Sequence, residues 1–287
     1  MIIFNKINSG LPGMIPTSQI IVFVFLGLMV TALVFYLSAK SAESAYLLAF
    51  RKPAVVHFYP VKRTLPPYAG ILLENEFRFY RDLSDEHKAY FQHRVSTFMK
   101  RYKFIGRDGL DVTDEMKLKI SATWVILTFG LRHYLTDLFN VVVLYPDVYR
   151  SAMAGSYNFA EFNVPAGAVV FSWRHFEAGL DFSANSVNLG LHEFAHVVHT
   201  GAMSKNFGAA GDMYADMYAK IIAYILVDEN LIEIVNANYF RHYAYKNERE
   251  FVAVALEYFF ETPEEFSQKL PVLYDMVATM VNYKKAA

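Results

Sequence analysis

Residues 188–199 read NLGLHEFAHVVH and hold two histidines and a glutamate at the spacing H-E-x-x-H. On a helix, His192 and His196 lie one turn apart on the same face. Their imidazoles could therefore bind one zinc ion at about 2.0–2.1 Å each. Glu193 points about 100° around the helix from His192. From there it could take a proton from an attacking water and pass it to a leaving amine, so the spacing predicts zinc-assisted hydrolysis of peptides.

This helix is predicted to be buried, because it is apolar nearly all round. The apolar residues are Leu189, Leu191, Phe194, Ala195, Val197 and Val198. A buried cluster of histidine and glutamate is costly unless something compensates it, and a metal ion does so directly. The alternative is an ordinary core helix whose histidines bond to carbonyl groups. Carbonyl groups can satisfy the hydrogen bonding of one buried histidine more easily than that of three histidines along one stripe of the helix.

A catalytic zinc ion needs a third protein ligand and an open position for water. His199 lies on the same stripe, but about 10.5 Å along the helix axis from His192, too far to share the ion. Asp216 follows His196 by twenty residues, the spacing at which thermolysin-like enzymes carry a glutamate, and Asp212 lies one turn before it.

Two glutamates on a later predicted helix are further candidates. Glu250 and Glu257 are seven residues apart and therefore share one helix face. Glu250 could instead complete a capping box with Asn247. Glu257 could instead be a core carboxylate bonded to the backbone or to an arginine. Spacing alone leaves these alternatives open.

The elements that must position these residues are mostly helical. Ser84 and Thr113 are typical N-caps and begin predicted helices that reach about residues 100 and 132. The β-branched runs VVVLYP and AVVFSW predict short strands at residues 141–146 and 168–173. Further helices are predicted near residues 186–200, 210–228, 247–262 and 271–283.

Composition excludes several classes of protein. The chain has 287 residues, and its 27 Lys and Arg nearly balance its 28 Asp and Glu, so no basic character typical of nucleic-acid binding is present. The length suits one good-sized domain with an appendage, or two small domains. Cysteine is absent, which excludes disulfides and thiolate metal sites. Any transition-metal site must therefore use histidine and carboxylate ligands.

Residues 20–37 (IIVFVFLGLMVTALVFYL) carry no charge, and Thr31 is their one polar residue. A helix of this length nearly crosses a hydrocarbon core of roughly 30 Å. We therefore predict a single transmembrane helix at residues 19–38, with the lipid bilayer as its partner. The alternative is a signal peptide, whose apolar region would be about 7–15 residues long behind a basic start. Here the apolar run is longer and follows only Lys6.

Residues 39–70 are predicted to form a semi-rigid linker, because they contain four prolines: Pro53, Pro60, Pro66 and Pro67. The charges around the helix suggest its orientation. Lys6 is the one basic residue before it, whereas three basic residues follow it closely: Lys40, Arg51 and Lys52. Because the more basic side tends to stay in the cytoplasm, we expect a cytoplasmic catalytic domain.

Several separated motifs, in order, resemble the Mlc titration factor A family of zinc-dependent peptidases. HEFAH is followed about fifty residues later by NEREFVAVALEYFFETP. The earlier matching segments are GLDVTDEMKLKISA at residues 109–122, VVLYP at 142–146 and AVVFSW at 168–173. The resemblance extends from about residue 73 to residue 283. The arrangement of the metal site is also similar to that of the catalytic domain of anthrax lethal factor.

The resemblance implies a role for each matching residue. His192, His196 and Glu250 match the zinc ligands, and Glu193 matches the general base. Tyr243 matches a tyrosine near the metal, where a phenol could donate a hydrogen bond to the oxyanion of the tetrahedral intermediate. Simple packing is the alternative for that tyrosine.

The resemblance also implies that Glu257 orients a zinc-binding imidazole through the other ring nitrogen. It ranks Glu250 above Asp216 and His199, which remain the alternative metal ligands. The chain departs from the family at Val197-Val198-His199, where the family often has x-Leu-Asp. This chain therefore has His199 where the family often has an aspartate, and no role of that aspartate can be carried over.

We therefore expect an α+β, mostly helical, zincin-like peptidase domain with a small sheet at residues 71–287. It follows a short tail at residues 1–18, the transmembrane helix and the linker. The expected function is zinc-dependent hydrolysis of peptides at a membrane, with short peptides or free N-termini as substrates by resemblance. The strand at residues 168–173 is expected to offer an edge that pairs with an extended peptide.

Two other functions are kept as alternatives. In the first, the protein keeps its zinc but sequesters a transcriptional regulator at the membrane, since the named family member is a soluble protein that binds a repressor of glucose uptake. An intact Glu193 speaks against this alternative, because a pure binding protein has no need of a general base. In the second, the protein is a structural membrane protein with a metal-free core.

Overall fold

The computed structural model describes residues 17–50, 52–53, 55–151, 155–181, 187–204 and 206–283. Most of the predicted tail, together with Lys6 and Arg51, lies outside these residues. The described chain is mostly helical with a small mixed sheet, which confirms the predicted fold class.

A long N-terminal helix, α1, precedes the domain. The domain helices are α2 (Pro67–Glu76), α3 (Arg78–Arg81), α4 (Asp85–Arg101), α5 (Asp114–Thr128), α6 (Trp173–Ala178), α7 (Leu189–Met203), α8 (Ala209–Ile225), α9 (Asp228–Asn236), α10 (Glu248–Glu261), α11 (Pro263–Lys269) and α12 (Pro271–Met280), with a 3-10 helix at His242–Lys246. The strands are β1 (Lys103–Gly106), β2 (Val141–Tyr145), β3 (Tyr149–Arg150), β4 (Tyr157–Asn158), β5 (Ala160–Asn163) and β6 (Ala168–Ser172).

Helix α1 spans Thr17–Phe50 and is long and apolar enough to cross a membrane. Its segment Ser18–Glu43 has a mean hydropathy of 2.8, and its apolar side chains are exposed rather than packed against the domain. The helix is longer than the predicted span of residues 19–38. Residues 39–50 continue the same helix, although they were predicted to belong to the linker.

Two of the predicted helix starts depend on side-chain caps. The hydroxyl oxygens of Ser84 and Thr113 accept hydrogen bonds from the backbone N–H groups of His87 and Met116. Helix α5 ends earlier than predicted, at Thr128. Just beyond it, a Cβ at Gly130 would lie 2.1 Å from a backbone oxygen near the C-terminus, so the chain must turn where only glycine fits.

The main sheet has the strand order β1-β2-β6-β5. Strands β1, β2 and β6 run parallel, and β5 pairs antiparallel with β6. The prediction that residues 168–173 form an exposed edge is therefore wrong, because β6 has a partner on each side. All five residues of β6 are buried, as is typical of an interior strand with a continuous apolar run. The edge on that side is β5.

Helix α7 packs on the sheet and forms the centre of the domain. The Phe194 ring meets the rings of Phe171 on β6 and Trp124 on α5 edge to face, with centroids 5.3 and 5.2 Å apart. Helix α7 also contacts α8, α10 and β5. The helix that carries H-E-x-x-H is thus buried, as its apolar composition predicts.

Residues 55–63, part of the predicted linker, pack against the domain, and we call them the docked segment. The buried Arg94 guanidinium donates to the phenol oxygen of Tyr59 (2.6 Å) and to the carbonyl oxygen of Val56 (3.3 Å). The His57 ring stacks on that of Tyr90, with centroids 4.9 Å apart. Tyr59 stacks on His93 at 4.1 Å.

Candidate metal centre

Two capped helices carry the residues of the centre. The Asn188 side chain accepts a hydrogen bond from the backbone N–H of Leu191 (2.9 Å) and begins α7. The Asn247 side chain accepts from the backbone N–H groups of Arg249 (3.0 Å) and Glu250 (3.1 Å) and begins α10. These caps fix the first turn of each helix, and the candidate ligands follow within that turn or the next two.

Three ligand atoms converge between the helices. The Nε2 atoms of His192 and His196 are 3.2 Å apart. The Oε2 atom of Glu250 lies 3.0 Å from the first nitrogen and 3.3 Å from the second. His192, His196 and Glu250 could therefore hold a metal ion.

The spacing of these atoms fits a tetrahedral ion. Ligands bound at about 2.0–2.1 Å in tetrahedral geometry lie roughly 3.3 Å from one another, close to the three separations observed. The Oε2 atom of Glu250 is buried and lies near both imidazoles, but it forms no well-aligned hydrogen bond with any described residue. The three atoms thus lie around one point, as the ligands of a metal ion do.

Glu257 and Arg241 support the first imidazole from behind. Glu257 Oε1 lies 2.5 Å from His192 Nδ1, and the carboxylate is fully buried. The Arg241 guanidinium donates to both oxygens of this carboxylate, with Nη2 2.7 Å from Oε1. This chain of contacts directs Nε2 of His192 toward the candidate metal position. The two alternatives predicted for Glu257 were the orientation of a metal-binding imidazole and a bond to an arginine, and the carboxylate makes both contacts.

The charges of two ligands suit metal binding. Burial lowers the pKa of His196 to about 4, so its imidazole is neutral at pH 7. The close approach of the His192 imidazole lowers the pKa of Glu250 to about 2, so its carboxylate is ionised. Burial also disfavours a charged His192, but the close Glu250 carboxylate and the hydrogen bond with Glu257 outweigh it and raise its pKa to about 9. Metal binding must displace that proton.

Glu193 directly follows the first histidine on α7 and lies within electrostatic range of His192 and Glu250. Burial raises its pKa to about 7, and the carboxylates of Glu250 and Glu161 add to the shift, whereas His192 opposes it. A carboxyl group with a pKa near 7 can exchange a proton readily at neutral pH, as a general base must.

Tyr243, on the 3-10 helix, lies at the open side of the centre. Its ring centroid is 5.8 Å from that of His192, and the residue is 43% exposed. The Arg241 guanidinium and the Lys246 ammonium lie over its ring, 5.8 and 5.1 Å from the centroid. The Tyr243 side chain is therefore accessible to a molecule bound beside His192.

The alternative ligands lie outside this group of three. Asp216, on α8, pairs with Lys220 at 2.7 Å and is half exposed. His199 packs on the ring of Tyr218, with centroids 4.5 Å apart, and burial lowers its pKa to about 4. The capping-box alternative for Glu250 also fails in part, because Asn247 forms its cap while the Glu250 carboxylate faces the imidazoles.

Three further residues around the centre carry no recognisable signal in the sequence: Arg241, Tyr149 and Glu161. Arg241 stands two residues before Tyr243, a position that gave no signal by itself. Tyr149 and Glu161 come from β3 and β5, and both lie within electrostatic range of Glu193. No fixed spacing connects these strands to α7, so the sequence pattern could not find them.

Comparison with known proteins identifies the family. Residues 60–281 match the model of the glucose-regulated metallo-peptidases M90. The chain belongs to this family. The resemblance to the Mlc titration factor A family is thereby confirmed. The M90 match begins after α1 and within the docked segment.

The chain is also similar, over much of its length, to a protein of uncharacterised function. The chain is 24% identical over 237 residues to the uncharacterized protein slr2042 of Synechocystis sp.. The alignment covers 75% of this chain and 84% of the relative. The chain thus belongs to a family of metallopeptidases, and its three convergent residues are candidate metal ligands.

Proposed function

We propose that this protein is a zinc-dependent metallopeptidase anchored in a membrane by α1. The observation that carries the proposal is the convergence of His192, His196 and Glu250 on one point, with ligand atoms 3.0–3.3 Å apart. Family membership supports the peptidase activity. The neighbouring Glu193, with its raised pKa, supplies the base that such chemistry needs.

Zinc is the metal that this donor set favours. Two imidazoles and one carboxylate form a known catalytic zinc site, with a fourth position left open for water or substrate. Hard cations such as Ca²⁺ and Mg²⁺ prefer oxygen ligands throughout. The absence of cysteine from the chain leaves no softer ligand to compete.

The reaction follows from what each side chain can do. A bound zinc ion supplies the Lewis acidity that polarises the peptide carbonyl and activates water. Glu193 accepts the proton of the attacking water and delivers it to the leaving amine. Tyr243 donates its phenol O–H to the oxygen that gains negative charge. Glu257 and Arg241 hold His192 in the orientation that keeps Nε2 on the centre.

Peptides are the proposed substrates, and β5 is the proposed binding edge in place of β6. Strand β5 pairs with β6 on one side only among the described strands and contacts α7. An extended peptide can add to such an edge through main-chain hydrogen bonds. The family resemblance favours short peptides or free N-termini, so we include aminopeptidase activity in the proposal.

The proposed topology is a single-pass protein with its catalytic domain in the cytoplasm. Lys40 and Lys52 follow the apolar part of α1 on the domain side. Basic residues near a membrane helix tend to remain cytoplasmic. A reporter fused after residue 287 and assayed for cytoplasmic against external activity tests this orientation directly.

Zinc content per chain is the first test of the proposed function. Wild type and Asp216→Ala should each retain about one zinc ion, and Glu250→Ala should lose it. A peptide library should then reveal cleavage by wild type and none by Glu193→Gln. No zinc in the wild type after preparation without chelator would overturn the proposal. Full function of Glu193→Gln in cells would instead favour a protein that sequesters a regulator.

A further inference from the structure

The docked segment leaves a group of apolar side chains exposed. Phe58 is 73% exposed and Val61 is 82% exposed, and Val55 is exposed as well. Their neighbours His57 and Tyr59 make the contacts with the domain. Single apolar residues at a surface are common, but neighbouring ones that also follow a long apolar helix indicate an interaction site.

Basic residues accompany these apolar side chains. The sequence from residue 44 to residue 73 contains no acidic residue. Its basic residues are Arg51, Lys52, Lys62 and Arg63. Of these, the structure describes the last three, and all three are exposed. The stretch of chain that follows α1 is therefore both apolar and positively charged.

Lys62 and Arg63 are held at the surface of the domain. The Lys62 ammonium lies over the ring of Tyr90, 4.5 Å from its centroid. The backbone N–H of Arg63 donates to Nδ1 of His93 at 2.9 Å. Both residues directly follow Val61, so positive charge lies beside the exposed apolar groups. We call the residues that combine these properties the outer face: Val55, Phe58, Val61, Lys62 and Arg63.

The outer face belongs to the part of the domain that meets α1. The Arg94 guanidinium donates to the docked segment and also to the carbonyl oxygen of Leu131 (2.8 Å). The next residue, Arg132, pairs with Glu43 on α1 at 2.7 Å. Glu43 lies six residues beyond the apolar run of α1, which is about 9 Å of helix. Since the headgroup region is roughly 5–8 Å thick on each side of a bilayer, a spanning α1 would bring the domain to the headgroups.

We propose that the outer face binds the headgroup region of an anionic bilayer. The inference rests on the proposed function only in taking α1 to span that bilayer. Apolar side chains at such a surface enter the boundary between headgroups and acyl chains, while lysine and arginine attract anionic headgroups. A bilayer is also the surface nearest to this part of the chain, because α1 leaves it shortly before the domain begins.

Single cysteines can report where the outer face lies, because the chain has no cysteine of its own. Thr64→Cys carries a bimane fluorophore beside the outer face, at an exposed position that is not part of it. Gln268→Cys carries one at an exposed position on α11, and Leu28→Cys carries one on α1. The full-length protein is placed in nanodiscs of phosphatidylcholine alone or mixed with phosphatidylglycerol. Acrylamide, which is uncharged, measures exposure to water, and brominated lipids measure contact with the bilayer.

The fluorophore at residue 64 should contact lipid chiefly in the anionic nanodiscs. Brominated lipids should quench it there and acrylamide should not, whereas the fluorophore at residue 268 should show the reverse. Lys62→Gln combined with Arg63→Gln should lower the ratio of lipid-bound to free outer face about 25-fold, at about fivefold for each charge. Lys103→Gln combined with Arg107→Gln removes two exposed charges at β1 and should leave the ratio within about twofold.

The apolar part of the outer face has its own variant. Phe58→Ser combined with Val61→Ser should reduce lipid contact in the anionic nanodiscs. Leu226→Ser combined with Val227→Ser changes two exposed apolar residues between α8 and α9 and should match wild type. Lipid contact that is the same in Phe58→Ser/Val61→Ser as in wild type would contradict the insertion of these side chains.

The remaining outcomes separate this proposal from the anchoring by α1. If acrylamide quenches the fluorophores at residues 64 and 268 equally in anionic nanodiscs, the proposal is wrong and the outer face is left for a protein partner. Equal contact with lipid in both kinds of nanodisc overturns the recognition of anionic lipid. A fluorophore at residue 28 that acrylamide quenches and brominated lipids do not would instead overturn the membrane anchor itself.

Discussion

Arg241 and Glu257 show that the geometry of the centre depends on residues that would not touch a metal ion. The Glu257 carboxylate lies between the imidazole of His192 and the guanidinium of Arg241, with no exposed surface. A buried carboxylate without its cation is strongly disfavoured. The charge of Arg241 therefore offsets the cost of burying the Glu257 carboxylate, which contacts the imidazole.

Replacing Arg241 should weaken metal binding without removing a ligand. We expect Arg241→Met to lower zinc affinity about 10- to 100-fold, the usual effect of losing an outer partner of a metal-binding histidine. Competition with a chromogenic chelator measures this affinity. Arg101→Met, which breaks an exposed ion pair on α4, serves as the matched control. Equal affinities of both variants would mean that His192 is oriented by packing alone.

Removing the phenol of Tyr243 should affect turnover and not binding. Because an oxyanion donor acts chiefly in the transition state, we expect Tyr243→Phe to lower kcat about 100-fold with little change in KM. Steady-state kinetics on one peptide measures both. Tyr68→Phe makes the same change at a half-exposed position on α2 and should be silent. A raised KM with unchanged kcat would place Tyr243 in substrate binding instead.

The candidate site could be predicted from the sequence only where its residues follow a fixed spacing. His192, Glu193 and His196 lie on one helical turn, so the pattern contains their geometry. Glu250 comes from another helix, and the family resemblance was needed to rank it above Asp216. Arg241, Tyr149 and Glu161 depend on how separate elements pack, and that information is not local in the sequence.

At the scale of elements, α7 is placed by two glycines that permit close approach. A Cβ at Gly190 would lie 2.4 Å from the ring of Phe176, and one at Gly201 would lie 2.4 Å from the ring of Phe207. Both rings are fully buried and cannot move without disturbing the core. The position of the two histidines relative to α10 thus depends on these contacts.

Adding a methyl group at either of these glycines should destabilise the domain. We expect Gly190→Ala and Gly201→Ala to lower the free energy of unfolding by about 1–3 kcal/mol, the usual cost of overpacking. Urea denaturation of the protein measures this. Gly70→Ala is the control, since its Cβ would meet only the end of Gln92 at 3.9 Å. An unchanged midpoint for both core variants would mean that the rings yield freely.

Helices with capping residues were predicted closely, whereas the order of the strands was not. Ser84 and Thr113 gave the starts of α4 and α5, because caps are local signals. Strand β5 is four residues long and has no alternating pattern, so it was missed. Without β5, β6 would be the edge strand of the sheet. Strand neighbours depend on tertiary pairing, which an apolar run alone does not specify.

At the scale of the whole molecule, the docked segment makes the predicted linker part of the domain. His57 lies against Tyr90 and Phe129, with centroids 4.9 and 4.6 Å away. Burial lowers the pKa of His57 to about 3, and the charges of Arg94 and His87 act in the same direction. Burial likewise lowers the pKa of His93. Docking therefore requires neutral histidines.

Acidification should release this segment. Released His57 takes up a proton near its ordinary pKa of 6.5, whereas docked His57 stays neutral to about 3. The released form therefore binds more protons over this interval, and docking weakens as pH falls below 6.5, by up to about tenfold per unit. Hydrogen exchange of residues 55–63, corrected for intrinsic rates, should rise on acidification in wild type.

His57→Phe keeps the aromatic packing and removes the proton site. Its exchange in the docked segment should therefore depend less on pH than that of wild type. His242→Phe, an exposed position on the 3-10 helix, should behave like wild type. Identical pH dependence in wild type and His57→Phe would mean that another group controls docking.

The docked segment also limits how the domain can move relative to α1. Arg94 binds the chain just after α1, and Arg132 pairs with Glu43 on the helix itself at 2.7 Å. These contacts restrain the domain relative to the end of α1. If α1 spans the bilayer as proposed, they limit the range of heights at which the candidate metal centre lies above the lipid surface. The protein would then meet its substrates by diffusing in the plane of the membrane. It would cut peptide bonds whose distance from the bilayer matches that of the candidate metal centre.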